Sequence, residues 1–282
     1  MADTSLTSTT GSAFNPAITS KKIIDIREAN LAFAGSVSTQ YKDDAGVGTT
    51  IAWPTITAAS AQAKTEGNDG NDIAFTANTE TSVTLTINQH QYAAFELEEF
   101  EDALSLHDQE AIYTKRSAYA VNLAIDDTLA ALIDNFTQTD GTLGVDNSDS
   151  EVRRGMQYLD DADAPSDGRF FAMSPAAKAG LLGVDRYNSS DFASGGGGSI
   201  IRGSFGDIYG FNTWVSTNVE GTNAAGHDNG MYQRDAIALG MRREVRTRME
   251  DDIDNLSKKV AVSAIWGVIE TRDNHGVWLK GA

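Results

Sequence analysis

Apolar side chains recur with a helical period along one long stretch. Residues 108–136, DQEAIYTKRSAYAVNLAIDDTLAALIDNF, contain neither Gly nor Pro. Ala118, Val121, Ile125, Leu129, Leu132 and Phe136 follow one another at steps of three or four, the spacing of one helix face. Alanines add propensity, and Lys115, Arg116, Asp126 and Asp127 leave a solvated side. A helix of this length spans roughly 40 Å. Its single stripe needs a long partner, and the C-terminal segment predicts a β-sheet to supply one.

Period-two patterns mark the strands. Residues 50–56 (TIAWPTI) put Ile51, Trp53 and Thr55 on one side. Pro54 cannot donate to a ladder, which predicts an edge or protruding strand. Residues 81–88 (TSVTLTIN) alternate Val83, Leu85 and Ile87 with Thr84 and Thr86. The 24 residues between them, 57–80, are rich in Ala, Asn, Asp and Gly. A connection that long is unusual inside a compact domain and reads better as an arm reaching a neighbouring subunit. Near the C-terminus, residues 236–239 form a short apolar strand. Residues 242–249 (RREVRTRM) alternate Arg242, Glu244, Arg246 and Arg248 with Arg243, Val245, Thr247 and Met249. After an acidic turn at 250–255, residues 259–271 are nearly continuously apolar, which predicts a strand covered on both faces. A turn at 273–276 leads to a closing strand at 276–280.

The remaining segments are shorter. Residues 1–20, mostly Ser, Thr, Ala and Gly, read as a flexible arm. Residues 21–34 fit either a short helix or an extended segment. Residues 91–106 read as a short acidic helix, and 137–147 as a polar loop. Ser148 and Glu151 have the spacing of a capping box, starting a helix that buries Val152, Met156 and Leu159 and stops before Pro165. Residues 169–173 (RFFAM) form a buried strand. Ser174-Pro175 then opens a helix with Pro at its first position. The GGGGS stretch within 185–199 predicts mobility. Residues 204–219 suggest two short strands about Gly210, and 220–230 a polar loop.

Composition narrows the function more than the fold. The chain has 282 residues, 40% hydrophobic, enough for a sizeable core. It has no cysteine, which excludes disulfides, thiolate metal sites and a cysteine nucleophile. No apolar run reaches the length of a membrane span, and the N-terminus lacks the pattern of a signal peptide, so a cytoplasmic origin is expected. The net charge of −18 argues against sequence-reading of nucleic acid. Nine lysines against 40 acidic residues fit a salty habitat as well as a mesophilic one.

Candidate chemistry is sparse. His90, His107, His227 and His275 lie in four separate segments without metal-ligand spacing. Residues 67–75 (GNDGNDIAF) resemble one turn of a calcium-binding nonapeptide, but that chemistry needs stacked copies. Counting from Asp251, a calcium-hand loop would need Gly and Glu where Leu256 and Val262 stand. The GGGGS run has Gly198 where a phosphate loop needs Lys. No carboxylate pair stands out, so neither an enzyme nor a cofactor is expected. Four of thirteen arginines, Arg242, Arg243, Arg246 and Arg248, crowd into seven residues. They read either as a contact surface for acidic partners (DNA or adjacent copies) or as an ordinary charged strand face.

The order of elements resembles the major capsid proteins of tailed phages, which share the Hong Kong 97-type fold. The resemblance is carried by Trp53-Pro54, Glu66-Gly67 and TSVTLTIN, by AYAVNLAIDDTLAALI, by RFFAMSP, by GDIYGFNTWVSTNV, and by the stretch from DAIALGM to GVWLK. It implies an α+β fold with an N-terminal arm at 1–45 and an extended loop at 46–92. A peripheral domain would comprise 93–146 and 241–282, with its spine helix at 108–136 packed on a C-terminal sheet. An axial domain of mixed α/β structure would occupy 147–240. It further implies self-assembly as hexamers and pentamers into an icosahedral shell around double-stranded DNA, without sequence-specific contacts. A portal protein, a separate scaffolding protein and no membrane complete the expected partners. Candidate inter-subunit contacts are Trp53, Lys64, Glu66, Asp69 and Asp72 in the loop, with Arg242, Arg243, Arg246 and Arg248 on the basic strand. The alternative is a tail-tube or other ring-forming virion protein, which by resemblance lacks so long a spine helix.

Overall fold

The computed structural model describes residues 28, 31–39, 48–56, 59–63, 80–105, 108–184, 187 and 207–282. The segments expected to be a flexible arm at 1–20 and a mobile glycine run at 185–199 lie outside these residues, Tyr187 excepted.

In chain order, a four-residue helix α1 (Phe33–Ser36) precedes the paired strands β1 (Thr50–Ile56) and β2 (Glu80–Thr86). Strand β3 (Gln89–Glu98) leads through α2 (Glu99–Leu104) into the long helix α3 (Gln109–Ala130). There follow β4 (Thr139–Gly141), α4 (Asp149–Asp161), β5 (Arg169–Met173) and α5 (Pro175–Leu182). Strands β6 (Asn212–Val215), β7 (Gly221–Thr222), β8 (Gly226–Gln233), β9 (Ile237–Asp252), β10 (Ser257–Glu270) and β11 (Gly276–Gly281) complete the chain. They build three sheets: the pair β1-β2, the three-stranded β3-β10-β9, and the six-stranded β4-β11-β8-β5-β6, with β7 paired to β8.

Helix α3 lies on the three-stranded sheet as its stripe requires. Asp108 caps it by accepting from the Ala111 N–H at 3.0 Å. Val121, Ile125 and Leu129 are buried, and below them β10 presents Val260, Val262, Ala264 and Trp266, also buried. The Trp266 indole donates to Thr128 Oγ1 at 3.1 Å. The helix ends at Ala130, not at 136, and so spans about 33 Å. Its continuation tightens into a 3₁₀ turn at Ile133–Asn135. That turn brings Ile133 against Gly230 and Phe136 against Gly276, where a Cβ would lie only 2.8 Å and 2.2 Å away.

Further sequence expectations are corrected. Residues 91–98 are strand, not helix: Phe95 and Leu97 turn toward the core while Ala94, Glu96 and Glu98 face outward, and β3 pairs along β10 from Glu98 to Gln89. Only Glu99–Leu104 is helical. Strand β10 is covered on both faces only toward its end, where Gly267 meets the β2 backbone; on the outer face before it Ala261, Ser263 and Ile265 remain partly exposed. The polar run 220–230 contains strands β7 and β8, and β8 sits inside the six-stranded sheet. Its polar groups have partners from distant segments. Asn229 accepts from the Ser174 N–H at 2.7 Å, and Asp228 accepts from the Trp278 indole at 2.9 Å. Finally, the closing strand β11 leaves the sheet beneath α3 and pairs with β4 and β8 in the six-stranded sheet.

The six-stranded sheet is covered on both sides. Ala172 and Tyr232 face the core shared with α3, while Phe171, Met173, Met231, Val277 and Leu279 face α4 and α5. Helix α4 begins as the capping spacing predicts, with Ser148 N–H donating to Glu151 at 2.7 Å. Helix α5 begins with Ser174 Oγ accepting from Ala177 N–H and Pro175 in its first turn. Among the described residues of 204–219, β6 is the only strand where two were expected about Gly210. The other half is a single bridge between Ile208 and Phe211. Helix α1, within the expected N-terminal arm, is part of the core. Phe33 is buried edge-on against Trp214 at 4.5 Å, and Asp126 of α3 accepts from Ala34 N–H at 3.2 Å.

Candidate assembly surfaces

The β1-β2 hairpin has little core of its own. Its register sets Trp53 opposite Val83 and Ile51 opposite Leu85, on the side the alternation predicts. Trp53 and Val83 are only half-buried, and Ile56 is 71% exposed. A free two-stranded ribbon is marginal in water, so this one requires a covering surface. Pro54 sits within β1 without interrupting the ladder, as an outer strand permits.

The hairpin is rooted firmly. Gly240 of β9 and Gly267 of β10 are directly opposed. A Cβ at Gly240 would lie 2.2 Å from Leu85, and one at Gly267 would lie 2.3 Å from the Thr86 carbonyl. The glycine pair is therefore the seat for Leu85, which is fully buried. The Ile87 N–H donates to the Thr49 carbonyl at 2.8 Å, and the Arg242 guanidinium donates to the Gly48 carbonyl. Sequence reading missed this seat, since two isolated glycines inside strand patterns signal only some close approach.

The arginine strand is not the simple alternation expected. Register shifts lie between Ser263 and Ile265 and again between Ile265 and Trp266. Arg246 faces Ser263 and Arg243 faces Ile265, so the bulge brings Arg243 onto the same face as Arg246 and Arg248. Val245 and Met241 instead pack toward the core. All three arginines are exposed, and no ion pair joins them to another described residue. Their face is the one turned away from α3; Ala94, Ala261 and Ser263 form a low floor beside them, bordered by Tyr92, 73% exposed opposite Ser263, and by Glu250, which follows Arg248 on the same face. Of the loop candidates, Trp53 is placed on β1; Lys64, Glu66, Asp69 and Asp72 lie outside the described residues.

One end of the same sheet is acidic and apolar. The Glu99 N–H donates to the Leu256 carbonyl at 3.0 Å, joining α2 to the β9-β10 turn. Ile253, Leu256, Phe100 and Leu104 are 85%, 65%, 74% and 69% exposed. Leu256 holds a left-handed φ of 46°, a conformation costly for such a residue. Around them stand the exposed carboxylates of Glu99, Glu101, Asp251 and Asp254. Asp252 is engaged locally by Lys259, by Asn255 Nδ2 at 2.9 Å and by the Asp254 N–H, which makes the run an acidic turn.

Other polar groups serve the fold. Burial raises the Asp126 carboxyl above its usual range, against the bonds it accepts from Ala34 and Asn218. Asp149 accepts from both the Tyr187 and Tyr209 hydroxyls, at 2.8 and 2.6 Å. Burial and the neighbouring Asp273 push Glu270 up to about 7. His227 contacts Asn223, His275 is buried and His90 is exposed; His107 lies outside the described residues. Among the described residues no set of His or carboxylate side chains is grouped to hold a metal, and no helix is long and apolar enough to cross a membrane.

A family model described as phage capsid protein matches residues 39–277. The chain belongs to the phage capsid protein family. Solved structures agree in fold. A structure from Mycobacterium phage Che8 superimposes with a TM-score of 0.83 at 19% identity, covering 94% of this chain and 97% of that one. The capsid of cyanophage P-SCSP1u gives 0.75 at 13% identity, covering 97% and 94%. The capsid of a native GTA particle gives 0.69 at 12% identity, covering all of both chains. No curated protein matches. This is a major capsid protein with the Hong Kong 97-type fold, whose copies assemble into the shell of the virion. The family match favours that shell over the tail-tube alternative.

Proposed function

We propose that this capsid protein closes its shell by laying the loop around the β1-β2 hairpin over neighbouring subunits. The observation that carries the reading is the hairpin itself: firmly rooted at Leu85 on Gly240 and Gly267, yet with Trp53 and Val83 only half-buried and its far end exposed at Ile56. In this account residues 1–45 act as an arm anchored at Phe33, and 46–92 as the extended loop. Residues 93–146 and most of 241–282 form the peripheral domain, and 147–240 the axial domain, joined by β11. Trp53, Lys64, Glu66, Asp69 and Asp72 make the loop's contacts. Copies meet as hexamers and pentamers in the host cytoplasm, on a separate scaffolding protein and around a portal. The icosahedral shell then encloses double-stranded DNA without sequence-specific contacts. The charge of −18 supports that role, because repulsion keeps a packaged genome from adhering to the wall. The role needs no catalytic site.

Deleting residues 57–79, which leaves both strands of the hairpin, tests the reading. The variant should fold as the parent subunit does, by circular dichroism and thermal melting, and should fail to form closed shells. Normal particles from the deletion would refute the loop's role.

A further inference from the structure

The three-stranded sheet carries opposite charges on two patches. Its outer face holds Arg243, Arg246 and Arg248, brought together by the β9 bulge and not ion-paired with any described residue. Along the same strand, beginning three residues and about 10 Å beyond Arg248 by the rise of about 3.3 Å per residue, lies the acidic end. There Asp251 and Asp254 flank Ile253 and Leu256 at the turn. An exposed apolar pair on a turn, one member in a strained left-handed conformation, gains nothing from solvent. The two patches do not pair within one subunit: Arg248 stands opposite Ala261 on the outer face, whereas Asp251 stands opposite Lys258, whose ammonium turns to Glu110 of α3.

We infer that the acidic, apolar end of β9-β10 in one subunit docks on the arginine face of β9 in a second copy of this chain. This rests on the capsid reading and deepens it. Charge complementarity selects the occupant: carboxylates of the turn meet the arginines, while Ile253 and Leu256 settle on the low floor of Ala94, Ala261 and Ser263. The contact joins different patches on the two copies, so it is heterologous, and it closes a ring wherever the rotation between copies divides the circle. Arg242 takes no part, because it is already committed to Gly48.

The test is a charge exchange in the full chain. Arg246→Glu with Arg248→Glu, or Asp251→Arg with Asp254→Arg, should each lower shell yield by about tenfold or more, since like charges then face each other. Combining all four should restore most of the yield. The absence of cysteine permits a second readout. Mixing Arg246→Cys chains with Asp254→Cys chains under mild oxidation should give a dimer absent from either alone, because a disulfide needs Cα atoms within about 7 Å. If the parent chain forms shells but single reversals assemble normally, or the fourfold exchange gives no rescue and no dimer forms, this contact is wrong. The capsid reading would then still stand. If the parent chain itself forms no shells, the broader reading fails instead. Arginine-face variants that assemble normally but lose DNA retention would assign the arginines to the genome and overturn the contact.

Discussion

At the scale of single residues, small side chains decide where the larger parts sit. Gly267 has no room for a methyl group, because its Cβ would meet the Thr86 backbone. Gly267→Ala should therefore shift the hairpin root and cost about 1–3 kcal/mol. Urea midpoints of the unassembled subunit, with amide exchange at Ile87, measure this. An unchanged midpoint and unchanged exchange would mean the seat is looser than its geometry. Glu270 gives a pH signature. Burial comes first, then Asp273, and together they raise its pKa from 4.5 to about 7. The folded chain thus binds that proton more tightly than the unfolded chain does. The contribution to stability is full below pH 4.5 and is lost as pH rises through about 7. Glu270→Gln should flatten stability over that window relative to the parent. A parallel pair of pH profiles would show that the proton is not held there.

At the scale of elements, the helix on its sheet is the frame to which both assembly patches attach. Leu129 is fully exposed to neither solvent nor the helix's polar side; it is buried in the seam above β10. Leu129→Asp should destabilise the subunit by more than about 4 kcal/mol, leaving insoluble chain on expression. A soluble, cooperatively melting variant would mean that the seam tolerates a charge. These elements were also the most legible ones in sequence. The steps of three and four through Val121, Ile125 and Leu129, the Ser148–Glu151 spacing and the Ser174-Pro175 pair each depend on local chemistry alone. What could not be read depended on distant partners. Phe95 and Leu97 fit a helix as well as a strand until β10 pairs with them. The polar run through Asp228 and Asn229 became buried strand because Trp278 and Ser174 supply its hydrogen bonds. Arg243 changed faces through a bulge that no alternation reveals. For the candidate contacts, the arginine cluster was visible as composition, while its orientation and its acidic counterpart at the turn needed the fold.

At the scale of the whole molecule, the subunit leaves uncovered what a free protein would bury. The hairpin is only half-buried beyond Leu85 and exposed at Ile56, the outer face of the three-stranded sheet is open beyond the hairpin's seat, and four large apolar side chains project from that sheet's end. Surfaces of this kind are stable only when other copies cover them, which is what membership of the phage capsid protein family provides. Particle size of the purified full-length protein, by sedimentation with negative-stain microscopy across protein and salt concentration, bears on this directly. Closed shells some hundreds of ångströms across are the expected result. A chain that remains monomeric under every condition, including coexpression with a scaffolding protein, would contradict it.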